Sequence, residues 1–325
     1  MFKDKTIAIT GITGSWGHEL TKQLLEKGVK KIIGISRGEL QQVLMQRKFN
    51  NDKIEFKIAD VRSLNRMSEL FQNVDIVFHL AAQKHVPVCE DNPWESVNTN
   101  IIGVENVIRA SISNNVETVI DVSTDKACNP LNHYGACKSV GEKLMISANY
   151  REGNTKFVCV RAGNVIGSNG SVIPFFEKLA SQGKELPITD TEMTRYLMSL
   201  PQAIDLLFKA VNKAFGGEIF VTKMPAANLY SLAKVIWEHY NVSEMHYKVV
   251  GTRPGEKKHE MLVSEHESNS TVEDDDFRII LPMNHLLDDN YKNSIPMREK
   301  EYTSNQSLMT EDEIKLIIKS AGCLK

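Results

Sequence analysis

The glycines at 11, 14 and 17 constrain this chain more than any other feature. They punctuate TGITGSWG directly after a β-branched run at residues 5–10 (KTIAIT) and before residues 18–28 (HELTKQLLEKG), whose apolar positions recur at helical spacing. Strand, glycine loop and helix in that order leave the backbone few alternatives. The three glycines give a tight turn, a backbone close enough to touch a pyrophosphate, and a helix packed closely on its strand. The helix start then offers free N–H groups and the positive end of a dipole to phosphate. A dinucleotide site near the amino-terminal end is the expectation.

The next elements extend this unit. Residues 30–36 (KKIIGIS) predict a second strand, ending at Ser36-Arg37 instead of the acidic residue that accepts ribose hydroxyls in NAD-selective sites. An arginine fork and a serine hydroxyl hold a 2′-phosphate, so NADP is the expected cofactor. Arg37 as a solvated loop cation, with Arg62 or Lys84 doing that work, stays open. Residues 53–61 (KIEFKIADV) predict a third strand ending at Asp60, and 74–83 (VDIVFHLAAQ) a fourth ending at Ala81-Ala82, where small residues let a cofactor lie against backbone. A helix over 98–111 and a strand over 116–123 follow. Alternation of this kind predicts an α/β, doubly wound parallel sheet of Rossmann type with its ligand at the carboxyl ends of the strands.

With 325 residues the chain holds about two domains or one large α/β unit, and 42% hydrophobic with 25% charged residues excludes disorder. Lys and Arg number 39 against 41 Asp and Glu, so the net charge of −2 gives no general reason to bind nucleic acid or an anionic membrane. Five scattered cysteines without a CxxC pair argue against a disulfide framework or a zinc knuckle and point to reduced thiols in a cytoplasm; no metal is expected. No apolar stretch nears the roughly 18 residues of a membrane span, and the MFKDK start is unlike a signal peptide. Residues 1–166 are expected to form the cofactor domain, completed by part of 197–222. Residues 167–325 are expected to supply mainly a smaller carboxy-terminal substrate lobe and tail.

The strand ending at Ser123 delivers Thr124, Asp125 and Lys126 to the ligand edge, and Tyr134 with Lys138 follows. On a helix Lys138 lies one turn beyond Tyr134, where its ammonium lowers the phenol's pKa. A phenolate there takes a hydroxyl proton as hydride leaves the carbon. The bland alternative for Asp125-Lys126 is a surface ion pair.

TGITGSWG, ADV, HLAAQKHVP, STDKACNP and YGACK together resemble the extended short-chain dehydrogenase/reductase superfamily. KHVPVCEDNP, STDKACNPLNHYGACK, RAGNVIGSNGSVIPFF, ELPITDTEMTRY and GTRPGEKKHEML resemble, more narrowly, the C5-inverting UDP-N-acetylglucosamine 4,6-dehydratases of pseudaminic acid synthesis, over about residues 3–264. The resemblance implies that Tyr134, helped by Thr124 and Lys138, deprotonates the C4 hydroxyl, that Lys126 is base at C5 and that Asp125 is acid to the C6 hydroxyl. It also implies cofactor contacts from Gly11, Thr13, Gly14, Ser15, Trp16, Gly17, Ser36, Arg37, Asp60, Val61, Ala81, Ala82, Lys84, Asn100, Tyr134 and Lys138. Contacts to a UDP-sugar fall to Lys84, His85, Asn164, Ser171, Val172, Thr189, Arg195, Arg253 and Glu256, the arginines facing the diphosphate. A homo-oligomer is expected. Three departures stand out: Ala162 where the family has an aromatic hydroxyl, Asn169 where it has a cation, and Gln83 for a methionine. They leave open a homologue catalysing only part of the sequence, forming or reducing a 5,6-ene. A non-catalytic NADP-binding protein is the third reading.

Elsewhere, residues 193–211 (MTRYLMSLPQAIDLLFKAV) are expected to be helical and the acidic run 264–276 a solvated, mobile loop. Trp16, Trp94 and Trp237 are expected to pack, and Thr310 to open a terminal helix through a capping box with Glu313.

Overall fold

The computed structural model describes residues 1–167, 171–241, 243–282 and 290–324. At its centre lies a ten-stranded sheet. Numbered in chain order, its strands are β1 (Thr6–Thr10), β2 (Lys31–Ser36), β3 (Ile54–Ile58), β4 (Ile76–His79), β5 (Thr118–Thr124), β6 (Lys156–Ala162), β7 (Ile219–Thr222), β8 (Thr271–Glu273), β9 (Phe277–Ile280) and β10 (Ile295–Pro296). Their spatial order is β3-β2-β1-β4-β5-β6-β7-β9-β8-β10. The first seven pair in parallel, and β9, β8 and β10 add an antiparallel edge. Strand order reverses between β1 and β4, the switch point where such sheets bind ligands.

At its centre both faces of the sheet are buried, which explains why β1, β4 and β7 read as near-continuous apolar runs, whereas the edge strand β3 alternates. Ala8, Val77, Val119 and Phe157 meet Val104, Val107 and Met145 of the helices Gly103–Ser113 and His133–Ala148. Ile7, Ile9, Phe78 and Val160 meet Leu20 and Leu24 of Ser15–Glu26 and Ile204 and Leu207 of Leu200–Lys213. A third core joins Phe176, Ile188, Ile236, Trp237 and Ile318 from helices beyond residue 171 and the small strand Leu186–Ile188.

Three local expectations are corrected. Residues 193–211 are not helical throughout: Thr194–Met198 is a strand paired with Ala226–Asn228, and the helix begins at Leu200. Ser199 and Gln202 close a capping box there, with Pro201 in the first turn, so the start signal lies inside the apolar run. The run 264–276 is structured. Ser264 caps the short helix Glu265–Ser268 and β8 follows; Glu267 pairs with Arg161, Glu273 with Arg278, Asp274 with Lys213 and Asp276 with Lys209, so these four carboxylates have cationic partners in the fold. Trp94 is 68% exposed and does not pack, whereas Trp237 is buried. Thr310 does form its capping box with Glu313.

Candidate active site

A cavity of about 910 Å³ runs along the carboxyl ends of the strands at the switch point. At one end is the glycine loop. Gly11 has φ of +73°, and a β-carbon there would lie 2.8 Å from the Ala81 amide nitrogen; one on Gly17 would lie 2.0 Å from the Ile12 carbonyl oxygen. Neither position has room for a side chain. Gly14 begins the helix Ser15–Glu26 with no side-chain cap hydrogen bond and no acidic residue in the first turn, an arrangement suited to an anion at the helix start. Thr13, Ser15 and Trp16 line the same end.

At the end of β2, Ser36 and Arg37 line the cavity together with Gln41. Gln42 Nε2 donates to Ser36 Oγ (2.9 Å) and to the Lys57 carbonyl (2.9 Å), tying the ends of β2 and β3 together. The Ser36 hydroxyl keeps its own proton to donate. The Arg37 side chain is 65% exposed, about 4.0 Å from Asp60 Oδ2. Asp60 is engaged by Arg62, whose Nε donates at 2.8 Å; burial pushes the carboxyl up, but the Arg62 contacts hold it below its usual range. Val61, Ala81 and Ala82 complete the wall. Asn100 stands behind it, exchanging hydrogen bonds with the Gln83 backbone (2.8 and 2.9 Å).

At the other end β5 finishes in Thr124, and Asp125–Ala127 makes one turn of 3-10 helix. Asn132 caps the helix His133–Ala148 by accepting from the Gly135 amide (2.8 Å), which sets Tyr134 and Lys138 one turn apart. Thr124, Asp125, Lys126 and Tyr134 all line the cavity. Thr124 Oγ1 and Lys126 Nζ each donate to Asp125 Oδ1 at 2.9 Å. Burial raises the Tyr134 phenol; Lys138, Lys126 and a Thr124 hydrogen bond pull the other way without cancelling it. Burial lowers Lys138, but Asp121, accepting at 3.0 and 3.2 Å, together with Tyr134 and Cys159 outweighs it and holds the amine above its ordinary value. Asp121 had no sequence signal, because a carboxylate inside an apolar strand reads as an interruption until β5 is seen beneath Lys138.

The substrate-side residues divide. Lys84, His85, Asn164 and Ser171 line the cavity. Val172, Thr189, Arg195, Arg253 and Glu256 are not among its lining residues. Arg195 is committed inside the protein: Nη1 donates to the Thr194 carbonyl (2.7 Å) and Nη2 to Glu256 Oε1 (3.2 Å). Glu256 also accepts from the Arg253 amide (3.2 Å), while the Arg253 side chain is exposed. Ala162 lines the cavity beside Gly163; Asn169 falls outside the described residues. Glu260, not singled out from the sequence, is buried with Oε1 3.3 Å from Lys126 Nζ. All five cysteines are free, and no cluster of three or more metal-ligating side chains occurs among the described residues. No described helix is long and apolar enough to cross a membrane.

Comparison with known proteins agrees with this architecture. A family model described as polysaccharide biosynthesis protein matches residues 7–282. A UDP-N-acetylglucosamine 4,6-dehydratase (inverting) of Campylobacter jejuni subsp. jejuni is 46% identical over 292 residues, covering 89% of this chain and 86% of that protein. A UDP-glucose 4-epimerase of Rickettsia rickettsii is 45% identical over 273 residues, 82% of this chain and 80% of its own length. The X-ray structure of Pen from Bacillus thuringiensis superposes with a TM-score of 0.92 at 37% identity, covering 100% of this chain and 99% of that one. With its glycine loop, reversed strand order and Tyr134–Lys138 helix, the chain belongs to the polysaccharide biosynthesis protein family, among the extended short-chain dehydrogenases/reductases.

Proposed function

We propose that the protein is an NADP-dependent UDP-N-acetylglucosamine 4,6-dehydratase that inverts C5, giving a UDP-2-acetamido-2,6-dideoxy-4-keto-L-arabino-hexose, early in pseudaminic acid synthesis. The observation that carries the reading is the convergence of Tyr134 and the Asp125–Lys126 pair on one wall of the cavity that the glycine loop closes at its far end. Gly11, Gly14 and Gly17 with the uncapped helix start suit a pyrophosphate, and Ser36 with Arg37 suits a 2′-phosphate. Bound there, NADP supplies a hydride acceptor for C4 and a hydride donor for C6.

The protein's own groups handle protons. Tyr134 accepts the C4 hydroxyl proton, and the resulting ketone acidifies C5–H. Lys126 takes the C5 proton, the C–H electron pair becomes the C5=C6 bond, and Asp125 protonates the leaving C6 hydroxyl as water. At rest Lys126 Nζ donates to Asp125 Oδ1 (2.9 Å), so the elimination requires that proton to pass to the carboxyl before the amine takes the one from C5. Lys84, His85, Asn164 and Ser171 would hold the sugar nucleotide. The division into a cofactor unit over 1–166 and a substrate lobe beyond it belongs to this reading, as do a cytoplasmic location, which the free thiols support, and an oligomer. The oligomer is supported by exposed Val88, Trp94, Ile102 and Val140 on neighbouring helices.

A second reading rests on Ala162. Its side chain ends at Cβ on the cavity wall, and Asp125 Oδ2 is buried without a hydrogen-bond partner. An enzyme lacking a second proton donor at this place would stop at the 5,6-ene. Proton NMR of UDP-N-acetylglucosamine with the protein and NADP in deuterated water separates the two. The inverting reading expects a 4-keto-6-deoxy sugar with deuterium at C5, and a stable 5,6-ene supports the second. Unchanged substrate sinks both. Lys126→Ala is expected to lower turnover by at least about a hundredfold, within the usual contribution of general base catalysis, while keeping NADP binding.

A further inference from the structure

Among the described residues, Glu260 is the one carboxylate that reaches the Lys126 amine from outside its own turn. It comes from far along the chain, immediately before the strand Met261–Val263, and is 1% exposed. Oε1 lies 3.3 Å from Lys126 Nζ and 3.7 Å from Arg195 Nε, so a single oxygen sits between two cations. Oε2 is buried with no hydrogen-bond partner. A carboxylate held this way, with half its acceptor capacity unused, is a costly thing to keep for packing alone.

Its backbone is fixed on two sides. The Glu260 amide donates to Ser304 Oγ (2.9 Å), and that hydroxyl shares a 2.6 Å hydrogen bond with Thr194 Oγ1, which is also bonded to His259 Nδ1 (2.9 Å). Two residues on, the Leu262 carbonyl accepts from Arg161 Nη1 (2.7 Å). Arg161 grips Glu142 (2.7 Å) on the helix that carries Tyr134 and Lys138. The backbone that carries the Glu260 carboxylate is therefore tied, through Arg161, to the helix that holds the phenol.

We propose that Glu260 is a positioning residue for the elimination step, holding the Lys126 amine against Asp125 and controlling when that amine is free to act as a base. This rests on the assignment of Lys126 as the base at C5. The charged and titratable groups facing the amine are Asp125 on its own turn, Glu260 and Arg195 from the second lobe, and Tyr134 from the following helix. Burial lowers the amine, while Asp125 and Glu260 raise it beyond its ordinary value. In the elimination the C5–H bond breaks, its proton passes to Nζ, and the pair forms C5=C6 as the C6–O bond breaks; Glu260 takes no proton. Removing its charge leaves the ammonium less stabilised, so the amine becomes available at lower pH.

The test is the pH dependence of 5,6-elimination from UDP-N-acetylglucosamine in the NADP-loaded enzyme, for wild type, Glu260→Asp and Glu260→Gln. The rising limb is expected to move to lower pH in the order wild type, Asp, Gln, with the full step about one pH unit or more. A side chain serving only to support the fold would lower the rate without moving the limb. Lys126→Ala is measured beside them. Elimination lost in Lys126→Ala together with an unmoved limb in both Glu260 variants overturns the proposal alone. Elimination that survives Lys126→Ala overturns the base assignment and the proposal with it. Should Glu260→Gln fail to fold, the Glu260→Asp limb decides: a shift supports the proposal and no shift overturns it.

Discussion

His79 lies under the cofactor wall at the end of β4, 1% exposed, sharing a 2.7 Å hydrogen bond with Thr10 Oγ1; its Nε2 has no partner. It stands in register with Asp121 on β5. Burial pushes its pKa down to about 4, with Asp121 opposing and Lys138 reinforcing the fall. Because the folded value is the depressed one, an unfolded chain binds a proton below about pH 6.5 that the folded protein refuses. Stability is therefore expected to be lost as pH falls from about 6.5 to 4, by about 3 kcal/mol in all. Urea midpoints measured across that window should fall in wild type and flatten in His79→Asn. Arg37 makes a different residue-scale prediction. Arg37→Ala should weaken NADP binding about 10- to 100-fold, the worth of one charge-assisted hydrogen bond. NAD binding, titrated in parallel, should change by less than about twofold if the arginine reads only the 2′-phosphate.

Between elements, the decisive joint is Arg161 on β6. Its guanidinium donates to Glu142 on the helix His133–Ala148 and to Glu267 on the short helix Glu265–Ser268, and Glu142 and Arg161 are each 1% exposed. A buried pair of this kind adds little over an apolar pair, but removing one partner strands the other charge. Glu142→Ala should therefore cost about 3–5 kcal/mol in urea unfolding, and Glu267→Ala less, since Glu267 is 18% exposed at its side chain and water can replace it. This joint also helps explain why an acidic run without apolar periodicity is ordered. The Ser264–Glu267 capping box is a local signal within residues 264–268, and Arg161, about a hundred positions earlier, supplies the long-range partner that ties Glu267 to the sheet.

For the whole molecule, the sheet does not end where the glycine-loop half of the chain ends. β7 and β9 come from beyond residue 218, and β7 pairs with β6 in parallel. The helix Leu200–Lys213 covers Ile7, Ile9 and Phe78 on one face of the sheet. A fragment of residues 1–166 would expose β6 as an unpaired edge and uncover several side chains each worth about 1.5–3 kcal/mol when buried. It is expected to aggregate or to stay partly folded, checked by sedimentation and by near-ultraviolet circular dichroism. A fragment showing cooperative unfolding and NADP binding would make the first half an autonomous unit.

Sequence by itself determined whatever depends on neighbours along the chain. The glycine loop, the strand and helix alternation and the Tyr134–Lys138 spacing are short-range patterns, and each is legible because one turn or one strand suffices to express it. The capping box at Thr310 is of the same kind, whereas the one at Ser199 went unread because the apolar run continues through it. Tertiary structure decided what depends on partners far apart: Asp121 beneath Lys138, Gln42 across the ends of β2 and β3, Arg161 tying Glu267 to the sheet, and Glu260 beside Lys126. Charges buried in this way are read only from the groups that neutralise them, and those groups meet only once the sheet is assembled.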